Sequence, residues 1–153
     1  IGEMFKFEQL IGSKLLSLIR ICDLIKIDLV TERDEVICIH SQSSLLRFFK
    51  SNKLIVSSED MFLPGINYVK KRNNKFSYNI PEITLFDDEV KKYLNEIIGL
   101  TVLSINLQNN DLNIFLKNNF SLNICPNTLE QNTENYRVFI KGDLNSHFVV
   151  END

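Results

Sequence analysis

An internal repeat is the feature that most constrains what this chain can fold into. The segment "IIGLTVLSINLQNNDLNIFL", residues 97–116, aligns without a gap on "LIGSKLLSLIRICDLIKIDL", residues 10–29. The offset is 99 − 12 = 87 residues when the glycine of one segment is placed on that of the other. Six pairs are identical: Ile11/Ile98, Gly12/Gly99, Leu16/Leu103, Ser17/Ser104, Ile27/Ile114 and Leu29/Leu116. Other apolar positions exchange one aliphatic residue for another, which preserves the volume that a shared core needs.

The length and composition fit one domain built from two copies. The chain has 153 residues, of which 44% are hydrophobic, and this is enough to fill one core. We therefore interpret residues 1–153 as a single domain, with an internal repeat over 4–60 and 88–153. A connector over about residues 64–86 contains the basic sequence "KKRNNK" and is expected to be exposed between the copies.

The second copy begins with a helical pattern and continues with strands. Apolar residues recur at helical spacing from Val90 to Ile98, which predicts a helix with Asp87 or Asp88 as its N-cap and Gly99 at its end. Alternating apolar residues then predict strands over residues 102–107, 112–116 and 120–124, separated by the turns "QNND" and "KNN".

The first copy has the same order of elements. Its short helical stripe ends at Gly12, and Ile27 and Ile39 are expected to stand where Ile114 and Ile124 stand, with a loop "TERDE" that is two residues longer. The predicted fold class is therefore α+β and dominated by antiparallel β-strands. In this fold, two tandem copies of a helix-plus-meander unit share one core.

Charge and cysteine content favour a cytoplasmic protein that binds neither nucleic acid nor a membrane. The formal net charge is −3, whereas phosphate binding needs a concentrated basic surface. Charged residues interrupt the richest apolar region, so no run predicts a bilayer-spanning helix. The three cysteines lack C-x-x-C spacing and are typical of reduced thiols.

Several segments resemble a known family. "ICIHSQSSLLRFF", "LIVSSEDMFLP", "FSLNICPNTLEQNTENYRVF" and "HFVV" resemble a widespread family of small uncharacterised bacterial proteins with L-H-x-Q…R and F-P-n…E-x-W-R-x-F…H-F-V-V segments. Members of this kind of family lie beside polymorphic toxins, including contact-dependent growth-inhibition systems, as immunity proteins. The resemblance implies a protein that binds and neutralises a cognate toxin domain, without enzymatic activity, cofactor, metal or obligate small molecule. Leu46 and Tyr136 replace the usual tryptophans, but Arg47 and Arg137 remain.

The two arginines are expected to be structural and to occupy equivalent positions in the copies. An arginine near the start of a strand commonly pairs with a carboxylate or with backbone carbonyls at a sheet edge. The predicted partners are Asp60 and Glu134.

Acidic loops are the predicted partner-binding surface. Toxins that cleave nucleic acid have basic clefts, and an acidic loop can imitate their substrate and speed association. We expect the toxin domain to contact Asp87, Asp88, Glu130 and Glu134 in preference to the first-copy loop at Glu32, Asp34 and Glu35. The reason is that the segment from Pro126 to Tyr136 is the longest addition to the second copy.

Three alternatives remain open at this point. The first is a hydrolase using His40 or His147, although no G-x-S-x-G segment is present. The second is a nucleic-acid-binding run, Lys70, Lys71, Arg72 and Lys75, with Phe76 and Tyr78 as stacking residues. The third is a zinc site formed by Cys38, His40, Cys125 and His147, for which the spacing is wrong.

Overall fold

Ten strands in two antiparallel sheets dominate the part of the chain that the computed structural model describes, residues 5–71 and 75–152. Strands account for 47% and helices for 20% of the structure, so the predicted α+β class dominated by antiparallel strands is confirmed. The strands are β1 (Lys14–Ile21), β2 (Leu24–Val30), β3 (Val36–Ser41), β4 (Ser44–Lys50), β5 (Lys53–Ser57), β6 (Val102–Gln108), β7 (Asp111–Leu116), β8 (Phe120–Pro126), β9 (Glu134–Ile140) and β10 (Phe148–Glu151). The helices are α1 (Ile66–Lys71) and α2 (Leu85–Ile97), with 3-10 helices at Phe7–Leu10, Ser58–Phe62 and Lys117–Asn119.

Each sheet combines three strands from one half of the chain with two strands from the other half. Sheet 1 has the order β1-β2-β3-β9-β10, and sheet 2 has the order β5-β4-β8-β7-β6. The hairpin β4–β5 therefore leaves the meander that precedes it and pairs with β8, while the hairpin β9–β10 pairs with β3. The meanders follow from the sequence pattern. The exchange of hairpins does not follow from it. Alternation of apolar residues predicts on which face of a sheet each side chain lies, but it does not predict which strands pair with each other.

The two sheets and α2 enclose one hydrophobic core. On β2, the alternate residues Ile25, Ile27 and Leu29 are buried in this core, whereas the residues between them lie on the outer face of sheet 1. Helix α2 adds the buried side chains of Phe86 and Ile97. Each such side chain contributes about 1.5–3 kcal/mol relative to an exposed one.

The strand register corrects the alignment of the two halves at their third strands. Ile27 pairs with Ile39, and Ile114 pairs with Leu122. Ile39 therefore corresponds to Leu122, and the predicted correspondence with Ile124 was wrong by two residues. The loop between β2 and β3 absorbs the difference, because turns tolerate insertions that a paired strand does not.

The starts of β1 and β6 pair with each other and join the two sheets. The N–H of Gly12 donates to the carbonyl of Val102 (2.9 Å), and the N–H of Gly99 donates to the carbonyl of Leu15 (2.7 Å). Gly12 and Gly99 have φ angles of +86° and +87°. Only glycine adopts this region without strain from a Cβ atom, which explains why both segments of the repeat carry a glycine here.

Helix α2 begins earlier than predicted, and its N-cap is Thr84, not Asp87 or Asp88. The Thr84 hydroxyl accepts the N–H of Asp87 (3.2 Å), and the Asp87 carboxylate accepts the N–H of Thr84 (3.1 Å). This reciprocal capping box makes Asp87 the third residue of the helix. The predicted end is confirmed, since Gly99 directly follows the C-cap.

The connector predicted over about residues 64–86 is only partly exposed. It contains α1, and near its end Ile83, Thr84 and Phe86 are buried. Among the described residues, none of the helices has the length and apolar character needed to cross a bilayer.

The exchange of hairpins predicts that neither half of the chain folds alone. Fragments 1–80 and 81–153 should each lack a cooperative urea transition, because each would have a three-stranded meander and a hairpin without their partner strands. An equimolar mixture should regain the transition and the circular dichroism spectrum of the intact chain. Cooperative unfolding of either isolated fragment would contradict the exchange.

Candidate functional site

A cleft on the outer face of sheet 1 contains both histidines of the chain. Its volume is about 290 Å³, and we call it the histidine cleft. It is lined by Leu24, His40, Gln42, Glu134, Asn135, Arg137, Phe139 and His147. His40 on β3 pairs with Arg137 on β9, and alternation turns both side chains away from the core. His147 comes from the connection between β9 and β10.

Arg137 organises this cleft by contacting one carboxylate and one imidazole. Its Nη2 donates to Oε2 of Glu134 (2.7 Å), and its Nε donates to Oε1 of the same carboxylate. Its Nη1 lies 2.9 Å from Nδ1 of His147. A guanidinium can only donate, so this nitrogen of His147 accepts and the proton of the neutral ring lies on Nε2. The pKa of Glu134 is held below its usual value, chiefly by the hydrogen bonds from Arg137.

Aromatic contacts connect the two histidines through Phe139. The ring of Phe139 stacks on His147 with centroids 4.3 Å apart and an interplanar angle of 7°. The ring of His40 meets the same phenyl ring edge-on, with centroids 4.9 Å apart. Burial, the nearby Lys26 and Arg137 lower the pKa of His40, so this imidazole is neutral near neutral pH. The cleft therefore combines neutral rings with a compensated ion pair.

Asn135 is a buried residue at the wall of the histidine cleft, and one of its side-chain atoms has no hydrogen bond. Its side chain lines the cleft, yet the residue is only 1% exposed. Its Nδ2 donates to Oδ1 of Asn152 (3.1 Å), whereas its own Oδ1 is buried and has no partner among the described residues. A buried carbonyl without a hydrogen bond costs about 1–3 kcal/mol. No pattern in the sequence distinguished this asparagine, the second residue of β9, from the other asparagines nearby.

A second cleft lies where the chain crosses between the sheets, and we call it the acidic cleft. Its volume is about 280 Å³. It is lined by Asp23, Gln42, Ser43, Ser44, Ser58, Glu59, Met61, Phe62, Asn127, Thr128 and Glu130. Asp23 accepts from Nε2 of Gln42 (3.2 Å) and Glu59 accepts from Nδ2 of Asn127 (3.3 Å), so their partners are neutral. The carboxylate of Glu130 has no side-chain partner within the described ranges, and no lysine, arginine or histidine lines this cleft.

The side chain of Asn152 binds two backbone carbonyls of the loop that carries Glu130. Nδ2 of Asn152 donates to the carbonyl of Thr128 (2.7 Å) and to that of Glu130 (2.9 Å). Between these two carbonyls, Leu129 is 95% exposed. A large apolar side chain is thus presented to solvent next to Glu130 in the chain, between two backbone carbonyls that Asn152 binds.

Of the four predicted partner-binding residues, Asp87 has the strongest internal contacts. Arg20 donates to it from Nε (2.9 Å) and Nη2 (2.6 Å), and the two side chains are 1% and 17% exposed. Arg20 also donates to the carbonyls of Cys22 (2.6 Å) and Ile80 (3.1 Å) and to that of Tyr78. Burial alone would raise the pKa of Asp87, but the hydrogen bonds from Arg20 and the N-cap outweigh burial and lower it. The ion pair of Arg20 with Asp87 joins β1 to α2, and the bonds from Arg20 to the two connector carbonyls join β1 to the connector.

Asp88 and Glu134 also have internal partners, and the structure does not bring the four residues into one cleft. Oδ2 of Asp88 accepts the N–H of Ile66 at the start of α1 (2.7 Å), and Glu134 pairs with Arg137. Glu130 lines the acidic cleft and Glu134 the histidine cleft. Asp23 and Glu59 also line the acidic cleft with Glu130, and although both lie in segments that the sequence analysis quoted, neither was predicted to bind a partner.

The predicted partner of Arg137 is confirmed, and that of Arg47 is wrong. Arg47 donates to Oδ1 of Asn123 from Nε (3.3 Å) and Nη2 (2.9 Å). Asp60 instead accepts the N–H of Ser57 (2.8 Å) and caps a 3-10 helix. The arginines do take corresponding register positions, because Arg47 pairs with Asn123 as Arg137 pairs with His40.

The structure separates two of the four predicted zinc ligands, brings the two histidines of the hydrolase hypothesis together, and describes only part of the basic run. Cys38 lies in sheet 1 and Cys125 in sheet 2, and no three His, Cys, Asp or Glu residues of the described ranges are placed to hold a metal. The histidines of the hydrolase hypothesis share a cleft, but no serine, threonine or cysteine is among its lining residues in the described chain. Of the basic run, Arg72 and the side chains of Lys70 and Lys71 lie outside the described residues, and Lys75 is exposed.

Neutralising Asp87 should destabilise the fold and flatten its acid dependence. The Asp87→Asn variant should unfold about 3 kcal/mol more easily near pH 7, because Arg20 loses its buried countercharge. The folded-state pKa of Asp87 is lowered, so its contribution is present above about pH 4 and is lost as the pH falls through the folded value. Urea denaturation across this pH range should therefore show the two proteins converging in acid.

A matched control is Glu89→Gln, which removes an exposed pair with Lys92 (2.7 Å). This change should cost less than about 1 kcal/mol. A stability difference between wild type and Asp87→Asn that stays constant down to about pH 2 would contradict the assignment of acid sensitivity to this pair.

No protein-family model, curated protein or solved structure matches this chain. The resemblance to toxin-immunity proteins therefore stays a prediction, and the two clefts are the features from which a function can be inferred.

Proposed function

We propose that this chain is an immunity protein that binds and neutralises a cognate bacterial toxin domain of basic, nuclease type, in the cytoplasm and without catalysis. The observation that carries the proposal is the acidic cleft, in which Asp23, Glu59 and Glu130 have no cationic partner among the described residues. Three free cysteines are consistent with a reducing compartment.

The charge distribution favours a protein partner of opposite sign. Three carboxylates in a concave surface produce a negative potential that raises the rate of encounter with a basic domain. Two other acidic residues are already compensated, since Arg20 neutralises Asp87 and Arg137 neutralises Glu134. Exposed lysine or arginine side chains of a toxin would find their unpaired counterparts in the acidic cleft.

Leu129 supplies the apolar contact that such an interface needs. Interfaces derive much of their affinity from a few anchors that become fully desolvated, whereas charges at the rim mainly set the association rate. The exposed ring of Phe62, also at this cleft, extends the apolar surface. The proposed surface is therefore Asp23, Glu59, Glu130, Leu129 and Phe62, and Glu130 is the member that the sequence predicted.

The proposal includes a tandem duplication as the origin of the scaffold. The two hydrogen bonds at the start of β1 and β6 are related by the repeat offset, because Gly12 and Gly99 exchange roles. Strand irregularities support the same relation, since β1 has a bulge between Leu15 and Ser17 and β6 has one between Val102 and Ser104. Loops tolerate insertions that paired strands do not, so the long loop after β8 was free to acquire a new contact.

Charge reversal at the acidic cleft tests the proposed function. The probe is the toxin domain that, under this proposal, a neighbouring gene encodes, and the readouts are protection of growth and association kinetics. The Asp23→Lys/Glu130→Lys variant should associate at least about tenfold more slowly at low salt. The deficit should shrink between about 0.01 M and 1 M salt, over which the Debye length falls from about 30 Å to about 3 Å.

The matched control is Glu32→Lys/Glu35→Lys, which changes the net charge equally on another exposed loop. This control should retain nearly the wild-type rate. Equal slowing by both variants would mean that only net charge matters and would refute the acidic cleft. Full protection by Asp23→Lys/Glu130→Lys with unchanged kinetics would also refute it.

Two measurements separate the alternatives from this proposal. Binding of single-stranded RNA with a steep salt dependence would favour the basic run at Lys70–Lys75. Loss of protection in His40→Ala and His147→Ala, with toxin binding intact, would favour catalysis at the histidine cleft. Under the proposed function, both histidine variants protect as the wild type does.

A further inference from the structure

The internal repeat contains two identical pairs of apolar residues that lie on the surface. The four residues, which we call the junction surface, are Ile11, Leu16, Ile98 and Leu103. Each of them is between 41% and 54% exposed. Burial in the core accounts for the identical pairs that begin with Ile27 and Leu29, and a positive φ angle accounts for the glycine pair. Neither explanation applies to the two exposed pairs.

The junction surface surrounds the place where the starts of β1 and β6 pair. The carbonyl of the residue before Leu16 accepts the N–H of Gly99 (2.7 Å), and that of the residue before Leu103 accepts the N–H of Gly12 (2.9 Å). Each leucine therefore lies beside the glycine of the opposite strand. The two isoleucines directly precede these glycines in the chain. All four exposed side chains thus form one cluster, and an exposed apolar cluster is typical of an interaction site.

Each glycine leaves a position without a side chain next to an exposed leucine. A Cβ atom at Gly99 would meet no atom of the described residues within 4 Å, and one at Gly12 would meet only Oε1 of Glu32, at 3.8 Å. A second copy can be turned by 180° about an axis that runs between β1 and β6, parallel to them. This rotation places Leu16 of each copy over Gly99 of the other, and Leu103 over Gly12.

The charges beside the junction are complementary under the same rotation. The loop after β2 lies beside the start of β1 and contains three acidic residues and one arginine over residues 31–35. The loop after β7 lies beside the start of β6, where the N–H of Lys117 donates to the carbonyl of Thr101 (3.0 Å). The rotation brings the acidic loop of each copy to Lys117 of the other. Neither Glu32 nor Lys117 has an ion-pair partner among the described residues.

We propose that the junction surface joins two copies of this chain in a symmetric dimer. In this dimer the same residues are buried on both copies, and each exposed leucine packs over a glycine of the other copy. The dimer is reversible, because its apolar centre consists of four half-exposed side chains, whereas a stable interface buries roughly 800 Å² per partner. None of the four residues lines either cleft, so the dimer does not depend on the proposed toxin binding.

Sedimentation velocity of the intact chain over a roughly hundredfold range of concentration tests the proposal. The wild type should change from monomer to dimer as the concentration rises. Leu103→Lys should raise the dissociation constant at least about tenfold, because the two-fold axis buries the new charge twice. The matched control is Leu54→Lys, which makes the same change at a similarly exposed leucine of β5 and should dimerise as the wild type does.

An exchange of charge between the two loops identifies the second copy as the partner. Lys117→Glu and Glu32→Lys each reduce the attraction across the axis and should each weaken the dimer severalfold at low salt. The double variant Glu32→Lys/Lys117→Glu places opposite charges together again and should recover much of the lost affinity. Such a rescue is expected only when both loops of the interface belong to copies of the same chain.

A wild-type chain that stays monomeric over the whole range of concentration would overturn the proposal. Equal weakening by Leu103→Lys and Leu54→Lys would overturn it too, since the contact would then lie elsewhere. Loss of toxin association or of vesicle binding in Leu103→Lys, with a monomeric wild type, would assign the junction surface to that other partner. Failure of the toxin assay alone would leave the dimer unaffected, because the dimer is measured without the toxin.

Discussion

The pairing of β3 with β9, and of β4 with β8, is the constraint on which the rest of the structure depends. Each of these two pairings joins a meander from one half of the chain to a hairpin from the other half. Without these pairings, each meander would have an unpaired edge and an exposed apolar face. A sheet of so few strands is not stable in water in that state. The histidine cleft exists because of one of these pairings, since it places His40 beside Arg137.

Arginine contacts divide the acidic residues into two groups. The side chain of Arg20 is almost fully buried and donates hydrogen bonds to Asp87 and to three backbone carbonyls. The role of this cation is therefore structural. Arg137 is half-exposed and donates hydrogen bonds to Glu134 and His147, in the wall of the histidine cleft. Around Glu130, by contrast, the carboxylates have only amide partners or none within the described residues. The three carboxylates of the acidic cleft therefore have no cationic partner among the described residues.

Local features of the fold could be predicted from the sequence, and long-range ones could not. The strands after Gly99, the turn at Asn109 and Asn110 with its positive φ angles, and the Glu134–Arg137 pair all lie within a few residues of the pattern that predicts them. Thr84 was missed because an aspartate three residues later offered a competing cap. The clefts were missed for a different reason. Their members come from distant segments, and periodicity carries no information on which segments meet.

The exchange of hairpins also sets the order in which the protein can fold during its synthesis. Strands β9 and β10 leave the ribosome after β1 to β3, because they lie later in the chain. The nascent meander must therefore wait, with the edge of β3 unpaired, while about a hundred residues are added at 5–20 residues per second. For several seconds this edge is open to other strands, including those of a second nascent chain. The unpaired edge of β3 is therefore exposed to misassembly until β9 and β10 have been made.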